Sequence, residues 1–469
     1  MPSSLFRLKP IAQAVGTNEL KRSMGRTTLL LLSAGSMIGS GIFVILGIAI
    51  PEAGPAVLLS FVLAGFAALL SALSYAEMAS AVPASGSSYS YAYVTLGEIV
   101  AWAVGWMLML EYGVSVAAVA VGWGEYLNAF LNSFGASIPE QFANPPGEGG
   151  LINVPAVVVV LACAALLLRG VSESAWVNAT MVILKVAILV FFCIVAFASF
   201  DGTNLTPFLP LGVLGVTAAA GQVFFSFIGF DAASTAGEEA KNPRKDLPFA
   251  IIGSLILVTG LYVVVALAAL GAQSWETTAG QNAEATLSGI ANVATGGTWA
   301  GNIIALGAII SIFSVVLVVL YGQTRILYAM GRDGLLPKSF SRLGRRSQAP
   351  VFNTIVVATI VSITAAVVSL GQLAEATSIG TLGVFAVVNV GVIILRRREP
   401  DLERGFRTPL FPLLPIAGIV LILVLMLSLD PTTWVVFVMW MAVGMTIYFG
   451  YSRRRSVLNN PSPPPTPKS

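Results

Sequence analysis

The stretch GSMIGSGIF, Gly35 to Phe43, lies inside an apolar run from Thr27 to Ile50 that carries no ionisable side chain. A run of that length can cross a bilayer as a helix. Glycine, however, costs a helix interior about 1 kcal/mol relative to alanine, so Gly39-Ser40-Gly41 at the centre invites a break. Two readings fit the stretch taken alone. Unwinding would expose N–H groups at the start of the outer half-helix, suited to a carboxylate, and carbonyls at the end of the inner half, suited to an ammonium. Alternatively, Gly35 and Gly39 form a GxxxG surface for close helix packing.

Composition sets the frame for both. Of the 469 residues 56% are hydrophobic and only 10% charged, with a mean hydropathy of +0.87. Soluble domains carry about 25% charged residues, so the chain is read as an all-α integral membrane protein. It has no histidine, which removes the commonest metal ligand and the usual titrator near neutral pH. Cys163 and Cys193 sit in apolar runs and are read as small buried hydrophobes, so neither a disulfide nor a metal site is expected. The net charge of +3 says little about partners; the Arg clusters at 342–346 and 396–398 are read as topology determinants and lipid-headgroup contacts, so no nucleic-acid partner is expected. Residues 1–26 are polar and basic; the run that follows is too long for a signal-peptide core and is read as a retained first span.

Apolar windows of about 20 residues predict twelve helices. They lie near 27–50, 55–82, 98–130, 153–169, 174–200, 213–239, 248–272, 299–331, 353–370, 376–396, 410–429 and 432–450. The tail from Asn459 is proline-rich and polar and is expected to be disordered. Charge tests the count: with the N-terminus inside, all but one of the chain's 25 Lys and Arg fall on inner segments. The positive-inside rule therefore predicts twelve spans with both termini cytoplasmic; the plasma membrane is the expected location. Residues 27–200 and 213–396 form two five-helix units. Residues 1–26 and 451–469 form cytoplasmic ends, and 410–450 supply two peripheral helices. Because five is odd, the second unit runs with opposite orientation, which permits an inverted repeat.

The remaining basic residue is Lys185, in the middle of the fifth span. A charge at the bilayer centre costs about 2.5–3.5 kcal/mol on insertion scales and faces the protein interior or a wet cavity. Desolvation works against a buried charge, which suits Lys185 to binding and releasing a proton; a static ion pair with Glu111 or Asp231 is the structural alternative. The sixth span, GQVFFSFIGFDAASTAGEE, has its own central interruption around Gly229 and Asp231. Interrupted spans in matching positions of two halves point to a transporter site. Asp231 could touch substrate or hold the broken helix together. Glu111, in the third span, could act as countercharge to Lys185, as a proton site, as partner of a cationic side chain, or as a structural acid. Glu77 is expected at the inner membrane boundary in a structural role. No phosphate-cradling GxxxxGK[ST] motif, catalytic histidine or zinc motif is present, so neither an enzyme nor an ATP-driven pump is expected, and no cofactor.

GSMIGSGIF followed by AGPA (Ala53–Ala56), YAEMASAVPASGSSYSYAYVTLGE, EYGVSVAAVAVGW, FFSFIGFDAASTAGEEAKNPRKDLP and YGQTRILYAMGRDGLLP together resemble the cationic amino acid transporter family, particularly its shorter bacterial members, within the amino acid–polyamine–organocation superfamily. The resemblance implies a leucine-transporter-type fold, a 5+5 inverted repeat of ten helices plus two peripheral ones, and secondary active transport of L-amino acids by alternating access. Carried over by position, the substrate carboxylate would meet the backbone at Ser40, Gly41 and Ile42. The α-amino group would meet carbonyls near Met37 and Ile38, and near Phe225 and Ile228 of the sixth span, with Phe225 as a covering aromatic. Lys185 falls where proton-coupled relatives place a fifth-span lysine. Bulky, apolar Val318, Val319 and Leu320 in the eighth span favour a small neutral side chain.

The expected function is proton-coupled import of an L-amino acid, with the amino acid, the proton and membrane lipid as partners. The alternatives are an exchanger on the same fold or, from another class, a channel or receptor.

Overall fold

A computed structural model describes residues 5–14, 22–84, 86–170, 175–280, 285–344 and 349–458, whose regular structure is helical with no strand among them. The tail expected to be disordered, from Asn459, and the side chain of Ser40 lie outside the described residues. Each of the twelve apolar windows meets a helix or a broken pair. The first is divided into α1 (Arg26–Ser40) and α2 (Ile42–Ala53). There follow α3 (Val57–Ala81), α4 (Ser87–Thr95), α5 (Glu98–Asn132), α6 (Val154–Leu168) and α7 (Ala175–Ala198). The sixth window divides into α8 (Gly212–Val223), a 3-10 turn (Phe224–Phe227) and the single turn α9 (Ala232–Thr235). The second half contains α10 (Pro243–Ala272), α11 (Thr286–Thr295), α12 (Trp299–Arg332), α13 (Val351–Val367), α14 (Leu370–Arg398), α15 (Leu413–Leu427) and α16 (Pro431–Ile447).

Among the described residues, eight helical stretches are long and apolar enough to cross a membrane, and α6, α13 and α15 are shorter apolar helices. The chain is therefore a multi-pass membrane protein. Among the described residues, two helices of more than eight residues lie outside the hydropathy windows: α4, which is polar and rich in Tyr and Ser, and α11, in a loop between spans. Neither is apolar enough to register as a crossing.

Helix ends follow local chemistry. Asn153 caps α6, its side chain accepting from the Ala156 N–H at 3.0 Å, with Pro155 in the first turn. Asp430 caps α16 in the same way through the Thr432 N–H at 2.7 Å, followed by Pro431. Gly97, at φ +99°, sets the entry to α5; a Cβ there would fall 2.7 Å from the Phe6 backbone.

The centre of the bundle is α5, packed against α12, α14 and α6, while α10 packs along α3 and α1. The apolar window of α5 is 83% buried and that of the last span 17%, which separates a core helix from a peripheral one. Glu77, expected to be structural, is fully buried on α3. Arg396 binds it in a fork, Nε to Oε1 at 2.9 Å and Nη2 to Oε2 at 2.5 Å. Arg404 Nε lies 3.3 Å from Oε1, and the Thr408 N–H donates to Oε2 at 2.8 Å. This cluster ties the second helical window to the tenth at the end of the bundle where the basic residues gather.

Candidate functional site

The first helix does not unwind across Gly39-Ser40-Gly41 as expected from the sequence. Gly39 and Ser40 remain helical, and the break is Gly41 alone, at φ −99° and ψ −77°. Packing is the reason. A Cβ on Gly35 would strike Val182 of α7, and one on Gly39 would strike Val315 of α12 and fall 3.0 Å from Lys185 Nζ. The two GxxxG glycines are therefore contact surfaces, and only the third interrupts the helix. The eighth-span side chain set against this segment is Val315, one turn before the Val318–Leu320 group singled out from sequence.

The sixth-span break is longer. Val223 ends α8, Phe224–Phe227 form a 3-10 turn, and Ile228 is extended at ψ 133°. Gly229 then takes φ +103°, a conformation glycine adopts without penalty. The two breaks press on each other. A Cβ on Gly41 would overlap the Ser226 Cα, and one on Gly229 would fall 2.6 Å from the Ser36 Cβ.

Backbone groups converge here. The first hydrogen bonds of α2 run from the Val44 and Ile45 N–H groups to the Gly41 carbonyl, at 3.0 and 2.9 Å. The Ile42 and Phe43 N–H groups thus stand ahead of the helix's own ladder, at the positive end of its dipole. The carbonyl side is occupied by protein donors. Tyr262 Oη, from α10, donates to the Met37 carbonyl at 2.7 Å and to the Ser226 carbonyl at 3.1 Å, spanning both breaks. The Phe225 carbonyl accepts the Ile228 N–H at 3.3 Å. Ser33 Oγ donates to the Phe230 carbonyl at 2.8 Å and accepts from the Ala233 N–H at 3.0 Å, a second tie between the same segments. On the outer half, Tyr126 Oη donates to the Phe43 carbonyl at 2.7 Å.

Lys185 reaches this junction from α7. It is 2% exposed, and its Nζ donates to the Gly35 carbonyl at 3.0 Å. Asp231 begins α9, and its Oδ2 accepts from Ser87 Oγ of α4 at 3.3 Å. Ser234 Oγ donates to the Asp231 carbonyl at 2.6 Å, so Asp231 ties the end of the break to α4. Glu111 lies apart, on α5 facing α14. Gly380 packs over its backbone N–H, and the neighbouring Thr381 hydroxyl donates to the Thr377 carbonyl at 3.0 Å. The structure thus brings together Met37, Gly41, Ile42, Phe225, Ile228 and Lys185, flanks them with Asp231, and places Glu111 on the neighbouring helix pair. Ile38 and the Ser40 backbone complete the end of α1.

Ser33 and Tyr262 were not read from the sequence. Tyr262 left a signal, as a phenol stranded in the apolar run GLYVVVAL. A buried Tyr hydroxyl needs a partner, and in a membrane interior the available partners are carbonyls freed by a broken helix. Ser33, a single small polar residue in a helix, left none.

The protein-family model described as amino acid permease matches residues 24–449. The chain is 44% identical over 467 residues to the branched-chain amino acid permease BcaP of Bacillus subtilis, covering 98% of this chain and 100% of that relative. It is 42% identical over 465 residues to the methylthioribose transporter of the same organism, covering 97% and 100%. It is also 36% identical over 400 residues to mouse cationic amino acid transporter 4, covering 84% of this chain and 62% of that one. These are permeases and transporters, not enzymes. Two interrupted helices that meet through their backbones, in a chain matched to this family from residue 24 to residue 449, make one conclusion: the protein belongs to the amino acid permease family of the amino acid–polyamine–organocation superfamily.

Proposed function

We propose that this permease imports L-amino acids across the plasma membrane by alternating access, coupled to protons. The fold in this reading has twelve crossings and cytoplasmic termini, with a 5+5 inverted repeat and two peripheral helices. The observation that carries the site is the junction of the two breaks. The Ile42 and Phe43 N–H groups suit the substrate carboxylate, while the Met37 and Ser226 carbonyls, now answered by Tyr262, suit its ammonium. Both ends of an amino acid are then held by backbone, and the side chain meets apolar surface such as Val315, Phe225 and Ile228. That surface, with the branched-chain permease among the relatives, favours a neutral aliphatic substrate.

Lys185 is the proton carrier in this reading. When protonated it holds the Gly35 carbonyl in the second half of α1; when neutral its grip on that carbonyl weakens, because a charge-assisted hydrogen bond is roughly twice as strong as a neutral one. Proton release would thereby loosen α1 against α7. Glu111, one helix pair away, serves as a second proton site.

The test is uptake into proteoliposomes under an inward proton gradient with no sodium present, for wild type and Lys185→Ala. Gradient-driven uptake of a neutral amino acid by wild type, with counterflow but no gradient-driven uptake by the variant, is the expected result. Gradient-driven uptake by a folded Lys185→Ala protein at the wild-type rate would overturn the coupling role. Uptake that requires internal amino acid would instead assign an exchanger.

A further inference from the structure

We propose that Arg7 and Arg398 form a binding site for the phosphate of an anionic phospholipid headgroup, with Phe6, Leu8 and Leu458 receiving the apolar part of the lipid. These five residues line a cavity of about 350 Å³. Two guanidinium groups stand in its wall and no carboxylate does. That is a donor set for an anion, and guanidinium matches phosphate oxygens in paired hydrogen bonds.

Both cations have donors to give. Arg7 Nη1 donates to the Leu458 carbonyl at 2.9 Å, which uses one of its five N–H groups. Arg398 is the last residue of α14 and is exposed, where the chain leaves its apolar span. By contrast Arg396, two residues earlier, is engaged by Glu77 and Thr408.

The site is built rather than incidental. The segment carrying Phe6, Arg7 and Leu8 is held on both sides. The Ile99 N–H donates to the Leu5 carbonyl at 3.1 Å, the Glu98 N–H to the Arg7 carbonyl at 3.0 Å, and the Lys9 N–H to the Tyr93 carbonyl at 3.2 Å. Lys9 pairs with Asp333 at 3.1 Å, and the Val457 N–H donates to the Asp333 carbonyl at 3.1 Å, which fixes the C-terminal wall. Three remote parts of the chain thus meet around one cationic hollow.

The apolar lining and the location decide between a lipid and a soluble anion. Free phosphate has no use for Phe6, which is 51% exposed, or for Leu8 and Leu458. A headgroup at the membrane boundary uses both the charge and the apolar rim, and juxtamembrane arginines draw anionic lipid. A phosphate bridging Arg7 and Arg398 would also add a link between the N-terminal segment and α14.

The test uses the full chain purified in detergent, with phosphatidylglycerol and phosphatidylcholine as probes. Native mass spectrometry would count retained lipid, and thermal unfolding would follow stabilisation. Wild type is expected to retain phosphatidylglycerol at least three-fold more than phosphatidylcholine and to gain Tm with it alone. Arg398→Gln should abolish that preference. Arg397→Gln, an exposed neighbour outside the cavity, should keep it. Arg7→Gln should weaken retention, and Arg7→Lys should restore part of it. Equal loss in Arg397→Gln and Arg398→Gln would overturn the proposal in favour of a diffuse basic surface. Stabilisation by inorganic phosphate equal to that by phosphatidylglycerol would overturn the lipid assignment.

Discussion

Replacing Tyr262 by Phe removes one oxygen and leaves the ring, so its effect isolates the hydrogen bonds that span the two breaks. The hydroxyl donates to the Met37 carbonyl at 2.7 Å and to the Ser226 carbonyl at 3.1 Å, and the side chain is fully buried. Its ring packs edge-on to Phe61 and tilted to Phe227, contacts that Phe would keep. Each hydrogen bond lost is worth about 0.5–1.5 kcal/mol net, two are lost, and the 2.7 Å bond is the stronger of the two. The substrate-free Tyr262→Phe protein should therefore be about 1–3 kcal/mol less stable than wild type, visible as a Tm lower by a few degrees. If the same carbonyls receive the substrate ammonium, bound amino acid answers them and recovers part of that loss. Each kcal/mol recovered on binding corresponds to about a five-fold gain in affinity. The assay is thermal unfolding of purified Tyr262→Phe and wild type across a series of amino acid concentrations. The expected signature is a lower starting Tm and a larger substrate-induced rise. An equal deficit with and without substrate would refute the assignment of these carbonyls to the ammonium and leave Tyr262 as a tether alone.

Three further outcomes follow from the geometry. Gly41→Ala forces a methyl into the Ser226 backbone and should cost about 1–3 kcal/mol as overpacking. Gly260→Ala, where the added methyl meets nothing within 4 Å, should be neutral or slightly stabilising, and thermal unfolding of the pair checks the contrast. Glu77→Gln removes the charge that Arg396 and the buried Arg404 share. Breaking a buried pair by one partner costs about 3–5 kcal/mol, so the variant should be recovered in much lower yield as a monodisperse peak on size-exclusion chromatography. Asp430, at the start of α16, has its carboxyl held below the ordinary value by the Thr432 hydroxyl and N–H. A lowered native pKa means the cap stabilises the helix end above the ordinary carboxylate value near 3.8 and is lost as pH falls below it. Amide exchange at Thr432 should accordingly stay protected at pH 5 relative to an Asp430→Ala control and lose that advantage in strong acid.

The first helix illustrates what each level of description supplies. Hydropathy and glycine content marked Gly35–Phe43 as a weak point, because composition alone reports how poorly a segment holds a helix. It could not say which glycine yields. Gly35 and Gly39 are held helical by Val182 and Val315, residues some 150 and 280 positions away in sequence, and only their arrival decides that the break falls at Gly41. The same holds for Lys185. Its isolation among apolar residues announced a buried role, since a mid-span charge turns to the protein interior or a wet cavity rather than to lipid. Its partner, the Gly35 carbonyl, belongs to the backbone, and backbone acceptors have no letter in the sequence.

Membrane character, the approximate helix windows, the central breaks and the lone intramembrane cation were thus determined by the sequence itself, because each rests on solvation or local propensity. The tertiary structure alone decided that the two breaks touch, that Tyr262 bridges their carbonyls, and that Glu111 faces α14 at Gly380. Those facts depend on which helix faces meet, and the reason is physical. In an apolar surrounding nearly every face is compatible with lipid, so hydrophobic periodicity carries little information on orientation. The register is set instead by close packing at glycine and by the need of a few buried polar groups for a partner.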